Sequence, residues 1–313
     1  MNYISEWATA HPEDPTKFFQ FEKFNGLYSD FIFIAGIFDF TKLNTISNNK
    51  RVVYFDLEEP NRFLATKGGF DRVDTEKKIF KTLSICPYTT KWINERDQND
   101  SHEFVFIPLD EELIPKILDN KIYDINYSGH ILSNDISKQI DSILKYNYRF
   151  ISRSNDPRVT DKNISYREKL DIISKCKITL VHNLLFLRKD HIKNLKKINS
   201  IDKNFAFKNV FQKPFWSFFG KLIPAPQIKT RTFEAAFCKS LILCLKDDFN
   251  VIEYFFKEGE EFIYYKDKKE LGIIIKDVLS NYDKYIPIIE NAFNKAINNY
   301  TTKIFAEKYL SQI

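Results

Sequence analysis

Short apolar runs alternate with segments of helical period along most of the chain. Residues 31–36 (FIFIAG), 51–55 (RVVYF) and 82–85 (TLSI) read as buried strands. Continuous apolar runs of this length suit parallel strands covered on both faces. Residues 88–94 read as a short helix and 103–107 (EFVFI) as a further strand, closed by Pro108. The acidic segment 109–120, which contains Pro115, reads as an inter-domain connection. The alternation then restarts, with strands expected at 122–127, 148–151, 177–181 and 241–245.

Helices fit between these strands. Ile136, Ile140, Ile143 and Leu144 share one helical face. Ser165 followed by Glu168 is a capping-box spacing, and Tyr166, Leu170 and Ile173 line the helix it would start. A short helix is expected from about Arg231 to Lys239, and another beginning at Asp267. Ile289, Phe293, Ile297, Tyr300 and Ile304 read as one amphipathic C-terminal helix. Strands alternating with helices imply βαβ units and parallel sheets. Two such series, divided near residue 119, imply an α/β protein with two doubly wound, Rossmann-like domains, 1–118 and 119–313, facing a cleft. In that architecture ligands sit at the carboxyl ends of strands.

Composition narrows the class. The 313 residues are 43% hydrophobic and 28% charged, ordinary for a globular protein, which excludes collagen, coiled coil and wholesale disorder. The net charge of +5 permits phosphate-bearing ligands without demanding nucleic acid. The cysteines, Cys86, Cys176, Cys238 and Cys244, form no C-x-x-C pair and fit a reducing cytosol. The first residues carry Glu6 and no apolar run, and no stretch of 18 apolar residues exists, so a cytoplasmic protein without signal peptide or transmembrane helix is expected. Glycine-rich dinucleotide and P-loop fingerprints, the G-x-S-x-G elbow, D-x-D and H-x-x-x-H are all missing from the sequence. A resident metal is therefore not expected.

Candidate chemistry concentrates in residues 224–245 (PAPQIKTRTFEAAFCKSLILCL). Lys229, Thr230, Arg231 and Thr232 fall where a loop enters a helix, and a helix N-terminus favours phosphate. Glu234 lies one turn further on, where a carboxylate could accept from a ribose diol or only complement the helix dipole. Gly129 and His130 follow the first strand of the second series, at a turn where glycine allows close backbone approach. His182 and Asn183 end a strand at the ligand-facing edge, where polar groups either meet a nucleotide base or cap the strand. In the first series Glu58 and Glu59 follow a strand and could act as general base on an acceptor hydroxyl. Asp39 is a further candidate, and residues 67–70 (KGGF) read as a cleft loop. The aromatic and basic segment 207–221 reads as packing beneath a long loop, or as a surface for bases or lipid.

The ordered run RTFEAAFCKS at 231–240, LIL at 241–243 and FFKEGEEFIYYKDKKEL at 255–271 resembles the C-terminal domain of CgeB-like glycosyltransferases. The similarity extends over about 164–305 and is only architectural before 119. The resemblance implies a GT-B fold, with an acceptor-side N-terminal domain and a donor domain for a nucleoside diphosphate sugar, UDP- or GDP-linked. It implies hexosyl or pentosyl transfer to a hydroxyl without a metal or other cofactor. Glu234 matches the second, ribose-binding member of an E-x7-E pair in related retaining enzymes, whereas the first position is Pro226 here. Lys229 and Arg231 would neutralise the departing pyrophosphate, and the Gly129 loop would lie by the donor phosphates. The acceptor would be a glycan, a small molecule or DNA carrying a hydroxylated base. A non-catalytic protein of the same fold that binds a saccharide or a partner is the alternative that Pro226 raises.

Overall fold

The computed structural model describes residues 2–4, 31–35, 51–57, 79–117, 120–131, 133–187 and 223–311. These fall into two compact units, one drawn from residues up to 105 and from 184–227, the other from 106–183 and from 228 onward. The first unit holds strands β1 (Asn2–Ile4), β2 (Phe31–Ala35), β3 (Arg51–Asp56), β4 (Lys81–Ser84) and β5 (His102–Phe104). They pair in parallel in that order. Val53, Tyr54 and Phe55 of β3 have no exposed surface, as a strand covered on both faces requires. Helix α1 (Pro87–Asp97) enters through Pro87 in its first turn, where a missing N–H costs nothing. Asn94 ties it to β5 through both backbone groups of His102. The strand expected at 103–107 ends at Phe104: Val105 N still donates to the Ser84 carbonyl at 2.9 Å, and Phe106 and Ile107 are buried beyond it.

The second unit is built on β6 (Tyr123–Ser128), α2 (Asn134–Ile143), β7 (Tyr148–Ser152), β8 (Asp161–Lys162), α3 (Tyr166–Ser174) and β9 (Cys176–Val181). The antiparallel pair β10 (Leu184–Leu187) and β11 (Ile223–Pro226) belongs to the first unit. The second unit resumes with α4 (Thr230–Phe237), β12 (Leu241–Leu245), β13 (Ile263–Tyr265), α5 (Lys268–Ser280), α6 (Ile286–Asn299) and α7 (Thr302–Tyr309). Its six parallel strands run β13-β12-β9-β6-β7-β8. The chain lays down β6, β7 and β8 in one direction, then returns to the other side of β6 for β9, β12 and β13. The point of reversal, between β6 and β9, is where doubly wound sheets open a crevice for ligands.

Local chemistry explains the element starts. Ser165 Oγ accepts from Glu168 N at 3.2 Å and Glu168 accepts from Ser165 N at 2.8 Å, the capping box read from the spacing. Asp267 caps α5 by accepting from Lys269 N and Glu270 N. The single C-terminal helix expected from the apolar pattern is instead two. The break falls at Tyr300 and Thr301, where Thr301 caps α7 and Leu109 pairs with the chain on both sides. The buried face also differs, because Ala292 and Ala296 let α6 pack close on α4. Phe106 holds the corner together. Its ring lies 5.1 Å from Tyr300, 5.4 Å from Phe305, 5.6 Å from Tyr309 and 6.4 Å from Phe233.

Inside the sheet, Asn126 Nδ2 donates to Thr179 Oγ1 at 2.8 Å, which donates to Ser240 Oγ at 2.7 Å. This buried polar line crosses β6 and β9 and reaches the residue before β12. Lys121, just before β6, donates to the carbonyls of Ser174 and Cys238, at the C-terminal ends of α3 and α4. A cation there complements both helix dipoles, and burial pulls its pKa down to about 8.

All four cysteines are free and buried. Burial pushes the Cys176 thiol up to about 12 and raises Cys238 and Cys244 as well. Folded protein at pH 8 is expected to take up no thiol-reactive label, and urea-unfolded protein four, by mass spectrometry. Rapid native labelling of Cys176, Cys238 or Cys244 would contradict this packing.

Candidate functional site

The carboxyl ends of β6 and β9 open side by side at the reversal of the sheet. Beyond β6 the chain turns at Gly129, whose φ is +132°, and Gly129 N donates to the carbonyl of Ile151 at the end of β7. Beyond β9 come His182 and Asn183, 5% and 1% exposed. Asn183 Oδ1 accepts from Lys229 N at 2.9 Å and from Thr232 Oγ1 at 3.0 Å. One side-chain carbonyl thereby fastens the entry of α4 to the exit of β9. Lys229, at the N-cap, supplies no side-chain cap to the helix.

That attachment aims Arg231 across the crevice. Its guanidinium carbon lies 4.9 Å from the centre of the Tyr127 ring, and Nη1 lies 3.2 Å from His182 Nε2. A Cβ added to Gly129 would overlap Nη2 of Arg231. Gly129 is required by a backbone angle that other residues rarely adopt, and a side chain there would also push the guanidinium aside. Tyr127 in turn donates to the carbonyl of His130 at 3.1 Å and lies 3.1 Å from His182 Nε2. The result is a part-exposed cationic fork, held by an aromatic face and an imidazole, at the positive end of a helix. Such an arrangement suits a diphosphate.

The structure brings Gly129, Lys229, Thr230 and Arg231 to this crevice and leaves them partly accessible. Asn183 and Thr232 are there too, but they bond to each other and serve the α4 attachment. His130 is exposed and contributes its carbonyl to Tyr127. Glu234 is 1% exposed and ion-paired with Lys169 of α3 at 2.6 Å. Glu58, Glu59, Asp39 and the segments 67–70 and 207–221 lie outside the described residues. The pattern did not single out Tyr127 or Lys169. Tyr127 carried one signal, its place near the end of the first strand of the second series. Lys169 carried none, because its partner is distant in sequence. Among the described residues no His, Cys, Asp and Glu group could hold a metal ion. Among the described residues no helix is long and apolar enough to cross a membrane.

Glu234→Ala is expected to lower unliganded stability by about 2–4 kcal/mol, because Lys169 keeps its charge beside a buried gap. For a protein of this size that is several degrees in Tm, read by thermal unfolding without nucleotide. An unchanged Tm would show that the pair carries no structural weight. Gly129→Ala is expected to cost about 1–3 kcal/mol through its backbone angle alone and to displace Arg231.

Residues 221–311 match a family described as glycosyl transferase-like. Anabaena HepE in complex with UDP-glucose superposes with a TM-score of 0.55 at 11% identity, over 89% of this chain and 76% of that one. A Staphylococcus aureus TarM variant in complex with fondaparinux, alpha-GlcNAc-glycerol and UDP superposes with a TM-score of 0.56 at 9% identity, over 90% of this chain and 55% of that one. The pneumococcal O-GlcNAc transferase GtfA in complex with UDP and GlcNAc gives 0.55 at 8% identity, over 89% of this chain and 55% of that one. The chain spans about half the length of these last two proteins. No curated protein sequence matches it. Identity this low establishes architecture rather than substrate. The chain has the GT-B fold of glycosyltransferases, and its C-terminal segment matches the glycosyl transferase-like family.

Proposed function

We propose that this protein is a glycosyltransferase of the CgeB-like kind that moves a sugar from a UDP-linked donor to a saccharide or small-molecule hydroxyl. The observation that carries this reading is Arg231 docked over Gly129 at the reversal of the second sheet. In the reaction the bond from the anomeric carbon to the diphosphate breaks, and charge grows on the leaving oxygens. Arg231, the Lys229 ammonium and the start of α4 meet that charge, and fixed cations stabilise a transition state without reorganising. Thr230 offers its hydroxyl at the same helix start. These groups do the work without a metal in this reading, so transfer survives EDTA.

Glu234 keeps its proposed place by the ribose only if Lys169 shares the carboxylate, since the two are already in contact. Glu58 or Glu59 is the proposed base on the acceptor hydroxyl in an inverting reaction. UDP rather than GDP is favoured because UDP is the nucleotide named in the HepE, TarM and GtfA complexes. Those complexes also contain sugars and glycans, and nothing parallel supports a DNA acceptor. A cytoplasmic setting remains part of the proposal. One observation favours a non-catalytic saccharide-binding reading: Pro226 occupies a strand position opposite Leu184, with no carboxylate to offer the donor sugar. Release of UDP from UDP-glucose by the purified protein separates the two readings.

UDP at a hundred times its dissociation constant is expected to stabilise the protein by ~2.7 kcal/mol. That is several degrees in Tm for a chain of this length. GDP is expected to shift it less, and Arg231→Ala is expected to shrink the UDP shift without removing it. No shift with UDP on folded wild type would overturn the donor reading.

A further inference from the structure

We propose that His182 is a positioning residue, whose Nε2 holds the Arg231 guanidinium against the Gly129 turn in the orientation that receives the donor diphosphate. The inference rests on the donor-site reading above and assigns it a residue that touches Arg231 rather than the substrate.

The contacts define the imidazole's role. A guanidinium has five N–H donors and no acceptor. The 3.2 Å contact with Arg231 Nη1 is therefore a hydrogen bond in which His182 Nε2 accepts. Tyr127 Oη lies 3.1 Å from both the His130 carbonyl and His182 Nε2, and when its one proton goes to the carbonyl, Nε2 is left to Arg231. The Tyr127 ring stacks on the imidazole, with centroids 6.0 Å apart and planes at 23°, while its face also carries the guanidinium. His182 is 5% exposed and leaves the last residue of β9, so its ring is set by the sheet. One bond to His182 orients the planar fork and leaves its other N–H groups to meet phosphate oxygens.

An arginine side chain has many rotamers, and a site that fixes one before the ligand arrives binds more tightly. Removing the acceptor returns that freedom to Arg231 and leaves its charge in place. The effect of His182 on UDP must then pass through Arg231, which a general packing role would not require.

The test is UDP affinity by calorimetry, on protein shown to be folded by circular dichroism. His182→Leu is expected to weaken UDP by roughly tenfold, the scale of one hydrogen bond to a charged group. His182→Gln, whose amide oxygen can replace Nε2, is expected to restore most of it, whereas His182→Asn, a shorter amide, is not. In an Arg231→Ala background His182→Leu is expected to cause no further loss. If His182→Leu binds like wild type, or weakens UDP equally with and without Arg231, the proposal is overturned. Should His182→Leu not fold, equal affinity of the Gln and Asn variants overturns it instead. Failure of wild type to bind UDP would show in the parent protein, and would remove the donor reading and this proposal together.

Discussion

The crevice of the second unit is organised around one close approach, a charged guanidinium lying against the backbone of a glycine. Arg231 occupies the volume where any other residue at 129 would carry its Cβ. The turn itself runs at a φ of +132°, so the backbone demands glycine here. Everything near the crevice follows from this placement. Tyr127 presents its ring to the cation, His182 places Nε2 beside it, and Asn183 fixes the helix from which Arg231 extends. If α4 shifted by a fraction of an ångström, the bonds from Lys229 and Thr232 to Asn183 would lengthen together.

A site this tight needs a stiff scaffold, and the sheet supplies it through contacts between segments remote in sequence. The Asn126–Thr179–Ser240 line fixes β6 beside β9 at the point of reversal. Behind them Lys121 secures the far ends of α3 and α4, and the Lys169–Glu234 pair joins the same helices midway. The aromatic cluster about Phe106 and Phe233 packs α6 and α7 against α4 from the other side. Helix α4 is therefore held at its start, middle and end, and binding groups on rigid elements keep their geometry better than groups on loops.

Much of this was legible in the chain, for reasons that are local. Apolar runs such as 241–245 are strands because both faces are buried, and the runs announce it. Ser165 with Glu168, and Asp267 ahead of α5, announce helix starts through bonds that span three residues. Gly129 and Arg231 stood out because one permits a turn and the other opens a helix. What stayed hidden is non-local. No spacing shows that β9 returns beside β6, yet that return creates the crevice. Asn183 read as a polar strand end that meets a base or caps the strand, and no spacing shows that its carbonyl anchors α4. Glu234 has the sequence setting of a ribose ligand, and only the fold reveals Lys169 against it. The break at Tyr300 and Thr301 escaped because the apolar period runs on across it, while the pairing of Leu109 with this stretch is set by a distant segment.

The proposed seat of the nucleotide diphosphate is on Arg231, where β6 and β9 diverge. A crystal structure of the protein with UDP bound tests it most directly. Both phosphates are expected at the start of α4, with at least one phosphate oxygen within hydrogen-bond distance of the Arg231 guanidinium and Gly129 unshifted beneath it. Well-defined UDP elsewhere in the protein, or at this crevice with Arg231 turned away from the phosphates, would contradict it.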